Sequence, residues 1–381
     1  MTRVAVNPGL LRWARERAHL AIPTLTRRFP KLAAWERGDL QPTLKQLEDF
    51  AKATHAPIGY LFLQEPPVET VPIPDFRTVG NKRIGHPSPD LLEIAFICEQ
   101  RQEWYRDFAR TAGEDPLAFV GSHTLAHDVT AAAAAIRDAL GFDVERRRDM
   151  ATWSDALRAF IAQADEVGIL VMCSGIVGSN THRKLDPQEF RGFAMADPLA
   201  PVVFINGADT RSAQMFTLAH ELAHIWLGQS ALSDAEARFV PDHEVERWCN
   251  HVAAELLVPL EVVRSEFHAG ADLAFETNRL ARRFKVSTLV VLRRIHDAGG
   301  LSREQLWGAY DAELERLQTL PAGSGGNFYV TLPARVSRRF ATALVSSTLE
   351  GRTLYRDALH MLGFSKLSTF DELGRTLGVV A

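Results

Sequence analysis

Cysteines and long apolar runs are scarce in this chain of 381 residues, and each shortage excludes a class of protein. The three cysteines, Cys98, Cys173 and Cys249, are scattered and form no paired framework, which excludes a disulfide-stapled secreted fold. No apolar run reaches the roughly eighteen residues needed to cross a bilayer, and the N-terminal stretch lacks the apolar core of a signal peptide. We therefore expect a cytoplasmic protein without a membrane partner.

Length and composition are those of a globular protein with two or three domains. The net charge of −4 is unevenly distributed, because residues 1–64 carry ten basic and five acidic side chains, a local charge of +5. A basic module on an acidic chain indicates a nucleic-acid or acidic protein partner. A solvated helical face would give the same pattern, so both interpretations remain open.

The pentapeptide His220-Glu221-Leu222-Ala223-His224 carries the clearest chemical signal. It lies within residues 216–227, a mostly apolar stretch without Pro or Gly that predicts a buried helix. On a helix, His220 and His224 lie one turn apart on the same face, where both imidazoles can bind one metal ion. Glu221 lies beside them, where its carboxylate can take a proton from a water molecule at the metal.

A catalytic zinc site usually has a third protein ligand. A second predicted helix, residues 243–258, ends before Pro259 and offers the candidates His243, Glu244, Glu246, His251 and Glu255. We choose Glu246, because Asn250 lies four residues on and can hydrogen-bond a ligand imidazole. His251 is the best rival ligand. His243 and His251 are also candidate contacts to the substrate or the transition state.

The residues of both helices resemble the ImmA/IrrE family of bacterial metallopeptidases. The matching pieces are residues 202–206, 216–224 and 246–259. The resemblance covers about residues 120–300 and implies that Zn²⁺ is bound by His220, His224 and Glu246, with Glu221 as the general base. It also implies a protease of narrow specificity, typically one that cuts a helix-turn-helix repressor.

The sequence predicts an α+β fold that is predominantly helical. The expected strands of a zincin-like core are residues 168–172, 191–195 and 202–205. An exposed edge of this small sheet could hold an extended substrate peptide by backbone pairing. We divide the chain into an all-α module, a Pro-rich linker with a connecting helix, the metallopeptidase domain and a helical tail of unknown role. These four parts are residues 1–64, 65–115, 116–300 and 301–381.

The N-terminal module resembles the Xre/Cro-type helix-turn-helix repressor fold over residues 32–47. It departs from that family in residues 26–34, which are too few to form the usual turn and polar start of a recognition helix. Arg27, Arg28 and Lys31 remain as candidate contacts to phosphate or to a partner. We therefore expect weak or non-specific DNA binding, or a docking role towards another protein.

From the sequence patterns and the two family resemblances, we expect a zinc-dependent endopeptidase that cleaves a regulatory protein. A repressor or a toxin is the candidate partner. The alternative is a non-proteolytic transcriptional regulator, or an antitoxin-like binding protein, built on a zincin scaffold. The intact Glu221 favours the enzyme, because a scaffold needs the metal ligands but no base.

Overall fold

A computed structural model describes residues 3–74, 78–79, 82–83, 87–233, 243–318 and 328–379. Helices predominate in these ranges and the strands form two small sheets, so the predicted α+β class is confirmed. The chain forms two compact units, Met1–Pro72 with Ile84–Phe96 and Ile73–Arg83 with Ile97–Ala381. Our division into four parts stays a prediction. Among the described residues, no helix is both long enough and apolar enough to cross a membrane.

The first unit is a group of short helices around an apolar core. Its elements are α1 (Pro8–Arg17), α2 (Ile22–Thr26), α3 (Leu32–Arg37), α4 (Leu44–Thr54) and a 3-10 helix, Ile58–Phe62. Gly38 ends α3 with a φ of 81°, and Thr43 caps α4. α2 ends at Thr26, and Pro30 disfavours helical backbone at Phe29, the residue before it.

The second unit contains most of the helices and both sheets. α5 (Pro89–Ala112) contributes to both units. The helices that follow are α6 (Val129–Leu140), α7 (Val144–Arg148), α8 (Trp153–Glu166), α9 (Arg211–Leu227), α10 (Glu244–Leu257), α11 (Leu260–Glu266), α12 (Leu273–Phe284), α13 (Thr288–Asp297) and α14 (Arg303–Gln318). The predicted tail, residues 301–381, contains α14 and then α15 (Phe328–Val336), α16 (Arg338–Leu349), α17 (Tyr355–Leu362) and α18 (Leu367–Leu377), so its predicted helical character is confirmed. The sequence also predicts a flexible break at the Gly-rich residues 322–327, which lie outside the described residues.

The main sheet has four strands in the order β3-β5-β4-β6. The strands are β1 (Thr78–Val79), β2 (Lys82–Arg83), β3 (Leu170–Ser174), β4 (Gly192–Met195), β5 (Val202–Asn206) and β6 (Ala231–Ser233), of which β1 and β2 form a separate antiparallel pair. β3 pairs with β5 in parallel, whereas β4 is antiparallel to both β5 and β6. The three predicted strands are present within two residues of their expected ends. β1, β2 and β6 were not predicted.

The C-terminal end of α9 is closed by a segment that precedes α6. The backbone N–H of Gly121 donates to the carbonyl of Ile225 at 3.1 Å, and that of His123 donates to the carbonyl of Trp226 at 2.9 Å. The second bond gives the Trp226 carbonyl a partner, and the first adds to the hydrogen bond that the Ile225 carbonyl accepts from the N–H of Gly228. A Cβ atom at Gly228 would lie 2.8 Å from the Cα of Gly121, so only glycine permits this approach.

Three arginines close the C-terminal end of α10. Arg137, Arg147 and Arg294, from α6, α7 and α13, donate to carbonyl oxygens within residues 255–258, at 2.9 Å for Arg137 and Arg294. The negative end of the helix dipole favours these positive charges. Three separate helices therefore hold α10 in place relative to the core.

The tail is joined to the core through Asp165 at the end of α8. Its carboxylate accepts hydrogen bonds from the Ser337 hydroxyl at 2.8 Å and from the backbone N–H of Arg338 at 3.0 Å. Burial raises the pKa of Asp165 to about 6, although these hydrogen bonds oppose the rise. Ser337, fully buried, has a φ of 67°, a backbone conformation rare outside glycine. Asp165 thus caps the first turn of α16 from a different part of the chain.

Candidate metal centre

α9 carries the His-Glu-x-x-His segment through the centre of the second unit. Thr210 caps its start by accepting a hydrogen bond from the N–H of Ala213, and Gly228 ends it in the left-handed conformation. Every residue from 214 to 227 is buried, because the helix contacts β4, β5 and the neighbouring helices α6, α8 and α10. The predicted buried helix is confirmed.

α10 packs directly against α9 and brings its own acidic and amide side chains to the same place. The apolar stripe predicted for this helix is buried; it consists of Val245, Trp248, Cys249, Val252, Ala253 and Leu256. This packing turns Glu246 inwards, where only 3% of the residue is exposed. A carboxylate on an otherwise apolar interface needs a charged or hydrogen-bonding partner.

Three ligand-type side chains converge at this interface. Nε2 of His220 and Nε2 of His224 lie 3.1 Å apart, and each lies 3.1 Å from a carboxylate oxygen of Glu246. The candidate ligand atoms all lie within 4.8 Å of one another, and the two histidines are fully buried. The structure therefore brings together the three residues that the sequence and the resemblance nominate as ligands.

Asn250 fixes the orientation of one imidazole. Its Oδ1 lies 2.9 Å from Nδ1 of His220, and an amide oxygen can only accept a hydrogen bond. The proton of neutral His220 therefore lies on Nδ1, which leaves the lone pair of Nε2 directed at Glu246 and His224. This is the arrangement by which an outer partner sets the tautomer of a metal-binding histidine.

The electrostatics of the cluster favour a positive charge at its centre. Burial raises the pKa of Glu246, but the two imidazoles lower it more, and the result lies far below the usual range. Burial lowers the pKa of His220, yet the charge of Glu246 raises it above its ordinary value. For His224, burial dominates and the pKa falls. Glu246 is thus ionised, and a cation among these atoms would be attracted to it.

The donor set fits a zinc ion. Two imidazole nitrogens and one carboxylate are a recurrent set of three protein ligands for catalytic zinc, with the fourth position left to water or substrate. With the proton of His220 held on Nδ1 by Asn250, its Nε2 offers a lone pair to a cation, and Nε2 of His224 lies close enough to bind the same ion. The chemistry of these residues therefore suits a divalent metal that binds nitrogen and oxygen.

Glu221 is fully buried on α9 and lies next to the backbone of β4. A Cβ atom built on Gly192 would lie 3.2 Å from Oε1 of Glu221, 2.5 Å from the methyl group of Thr217 and 2.8 Å from the carbonyl oxygen of Phe204. The absence of a side chain at Gly192 allows α9 to approach the sheet at this point. Sequence reasoning did not single out Gly192, although a glycine inside a strand is a signal of close backbone approach.

The other candidates on α10 lie outside the cluster. Within the described part of the chain, the metal-ligating group includes neither His243 nor His251, and both are exposed. His243 stands at the N-terminus of α10, where its positive form would help to lower the pKa of His224. Glu255 forms a buried ion pair with Arg294 at the other end of the helix. Contacts of His243 or His251 with substrate stay predictions.

The basic residues predicted to contact nucleic acid or a partner lie in the first unit. Arg27, Arg28 and Lys31 are exposed around the connection between α2 and α3. Arg28 stacks over the ring of Phe29, and Arg28 and Lys31 border a hollow of about 190 Å³ in front of Trp35. The hollow is consistent with contacts in this region, and the role of these residues stays a prediction.

Comparison with known proteins gives independent information on the segment that contains the candidate metal centre. Residues 164–296 match the sequence profile of the IrrE N-terminal-like domain, and residues 336–376 match a domain of unknown function (DUF8813). The chain is also similar to the radiation response metalloprotease IrrE of Deinococcus radiodurans, with 31% identity over 155 residues. That alignment covers 39% of this chain and 44% of the relative, so the chain spans less than half of the relative's length. The profile match and the alignment with IrrE thus show that this segment is similar to IrrE-type metalloproteases.

Proposed function

We propose that this protein is a zinc-dependent endopeptidase. The observation that carries the proposal is the buried cluster of His220, His224 and Glu246, with the carboxylate of Glu221 on the next residue of the same helix. The similarity to a metalloprotease over residues 164–296 supports it, because the cluster lies within that segment. A purely structural metal site would use four protein ligands, whereas three converge among the residues that the structure describes.

Each residue of the cluster has a defined task. His220, His224 and Glu246 would hold the metal, and Asn250 would keep the His220 lone pair directed at it. When bound, a zinc ion polarises the scissile carbonyl and lowers the pKa of water to about 7. Glu221 accepts the proton of the attacking water and later delivers it to the leaving amine. Burial of these groups strengthens every charge interaction among them.

The proposed substrate is a regulatory protein, such as a helix-turn-helix repressor or an antitoxin-like partner. The family resemblance supports this substrate class. The charge of +5 on residues 1–64 adds a surface that could recruit an acidic partner or nucleic acid close to the peptidase. The rival proposal is a non-proteolytic regulator that uses the same fold as a scaffold.

Substitution of Glu221 by Gln tests the proposal. Gln has nearly the same shape but cannot accept the proton, so we expect about one zinc per chain, an unchanged fold and a roughly 10²- to 10⁴-fold loss of cleavage. Glu166→Gln is the matched control, because Glu166 is exposed at the end of α8. Partners that co-purify with the full chain supply the substrates, and mass spectrometry of their fragments supplies the rate.

One outcome would contradict the proposed role of Glu221, and another would contradict peptidase activity itself. If the Glu221→Gln protein cut a partner at the wild-type rate, Glu221 would not be the base. If the wild-type protein left every bound partner intact while still changing its activity, the scaffold proposal would be favoured. Loss of zinc in Glu221→Gln would instead mean that the substitution disturbs the metal centre, and Glu221→Asp would then replace it as the test variant.

A further inference from the structure

The outer edge of β6 is already in contact with another part of the chain. The backbone N–H of Leu232 donates a hydrogen bond of 2.8 Å to the carbonyl oxygen of Pro74. The preceding residue, Ile73, is buried with 5% exposure, and Leu232 is fully buried. Residues 73 and 74 therefore contact the outer edge of β6 through this backbone hydrogen bond and the buried Ile73 side chain.

The hydrogen bond between Leu232 and Pro74 uses the N–H group that β6 directs away from β4. β6 has three residues, and in antiparallel pairing successive residues direct their N–H groups alternately to the two sides of the strand. Because the N–H of Leu232 points away from β4, those of Ala231 and Ser233 point towards it. Leu232 is thus the residue of β6 that offers its N–H to an added strand.

Pro74 makes only a partial pairing with this edge. A residue paired antiparallel with Leu232 would normally accept one hydrogen bond and donate another. Proline has no N–H and cannot donate. An extended peptide with an ordinary residue at that position would make both bonds, so it could displace the proline segment.

The same edge leads towards the candidate metal centre. Ser233 of β6 is the strand partner of Gly192 on β4. Gly192 lies against Glu221, since a Cβ built on it would be 3.2 Å from Oε1 of that carboxylate. A peptide on the outer edge of β6 would therefore be the second strand out from β4, with only β6 between it and the strand that backs the general base.

We propose that the outer edge of β6 is a docking strand for an extended segment of the substrate protein, and that Ile73 and Pro74 occupy it as an internal competitor. Release of these residues exposes the N–H of Leu232 and raises activity. This inference rests on the proposed peptidase function. A purely protective cover over a sheet edge is the competing explanation, because prolines on edge strands also prevent aggregation.

The first experiment replaces the apolar anchor of the segment. Ile73→Ser in the full chain should weaken its hold on the edge and raise kcat/KM on the cleaved partner roughly 3- to 10-fold, the range of one net hydrogen bond. Hydrogen exchange at the Leu232 amide should become faster in parallel. Val68→Ser is the matched control, because Val68 is 92% exposed in the same linker. Unchanged or reduced kcat/KM in Ile73→Ser, with full zinc content and an unchanged melting temperature, would overturn the proposal.

The second experiment does not depend on cleavage. A fluorescein-labelled peptide with the sequence of residues 68–74, Val-Glu-Thr-Val-Pro-Ile-Pro, should bind the Ile73→Ser, Glu221→Gln double variant more tightly than Glu221→Gln alone. Fluorescence anisotropy measures both affinities. Equal affinity would overturn the internal competitor. If the double variant bound the peptide more tightly while the wild-type protein cleaved no partner, the docking edge would be supported and the peptidase rejected. The two failures can therefore be told apart.

Discussion

A single methyl group placed on Gly192 should disturb the candidate centre through the packing of α9. In Gly192→Ala the new carbon would meet the Thr217 methyl at 2.5 Å and the Phe204 carbonyl oxygen at 2.8 Å. The first contact is more than 1 Å inside an ordinary carbon–carbon separation of about 3.5–4.0 Å. The second involves the backbone of the neighbouring strand, which cannot rotate away. α9 must therefore move outwards from the sheet at the turn that carries Glu221.

The size of the effect follows from these distances. Overpacking of this kind costs about 1–3 kcal/mol of unfolding free energy. In a protein of this size, with an unfolding entropy of about 2.1 cal/mol/K per residue, that corresponds to a fall in melting temperature of roughly 1–4 °C. Movement of the base by about 1 Å is enough to slow a reaction about 100-fold, so we expect activity to fall more than stability.

Thermal unfolding, zinc content and cleavage rate of three variants test this reasoning. Gly308→Ala is the control, because nothing lies within 4 Å of its new carbon and alanine favours the exposed helix α14. Adding Thr217→Ser to Gly192→Ala removes the closest contact and should restore part of the loss. A Gly192→Ala protein that melts within about 1 °C of wild type and retains full activity would refute the close approach.

Three further predictions concern other parts of the molecule. Asn250→Ala should lower zinc affinity about 10- to 100-fold in competition with a chelator. The control Asn278→Ala, at a partly exposed position of α12, should leave the affinity unchanged, and equal affinities of the two variants would remove Asn250 from the site. Asp165→Ala should cost about 2 kcal/mol and speed hydrogen exchange in the first turn of α16, and unchanged exchange there would contradict the cap. The N-terminal module should bind native upstream and scrambled DNA equally weakly at ~150 mM salt; a preference of roughly 10³-fold, abolished by Arg27→Ala and Arg28→Ala, would show sequence-specific reading.

The helices of the candidate centre could be predicted because their signals are local. The His-x-x-x-His spacing, the apolar surroundings and the caps all lie within about twenty residues of each helix. The choice of Glu246 needed the spacing to Asn250 and the family resemblance. The structure places Glu246 beside both histidines and Asn250 beside His220.

The sequence could not predict features that depend on contacts between residues far apart in the chain. β6 has only three residues, and its pairing with β4 defines it as a strand. Three residues are too few to show the alternating hydrophobic pattern from which a strand is predicted. The bond between Asp165 and Ser337 joins residues 172 positions apart, and that between Leu232 and Pro74 joins different parts of the chain. Propensity and local pattern carry no information on such contacts.

The closure of α9 by Gly121 and His123 limits how short an active fragment of this protein can be. The match to the IrrE N-terminal-like domain begins at residue 164, but Ile225 and Trp226 at the end of α9 accept hydrogen bonds from residues more than forty positions before that boundary. Phe119, also before that boundary, stacks on Trp226 with ring centres 4.4 Å apart. A fragment cut at the boundary of sequence similarity would expose the Trp226 ring and remove the N–H group that bonds to the Trp226 carbonyl. Truncations for crystallisation or directed evolution should therefore begin ahead of Phe119.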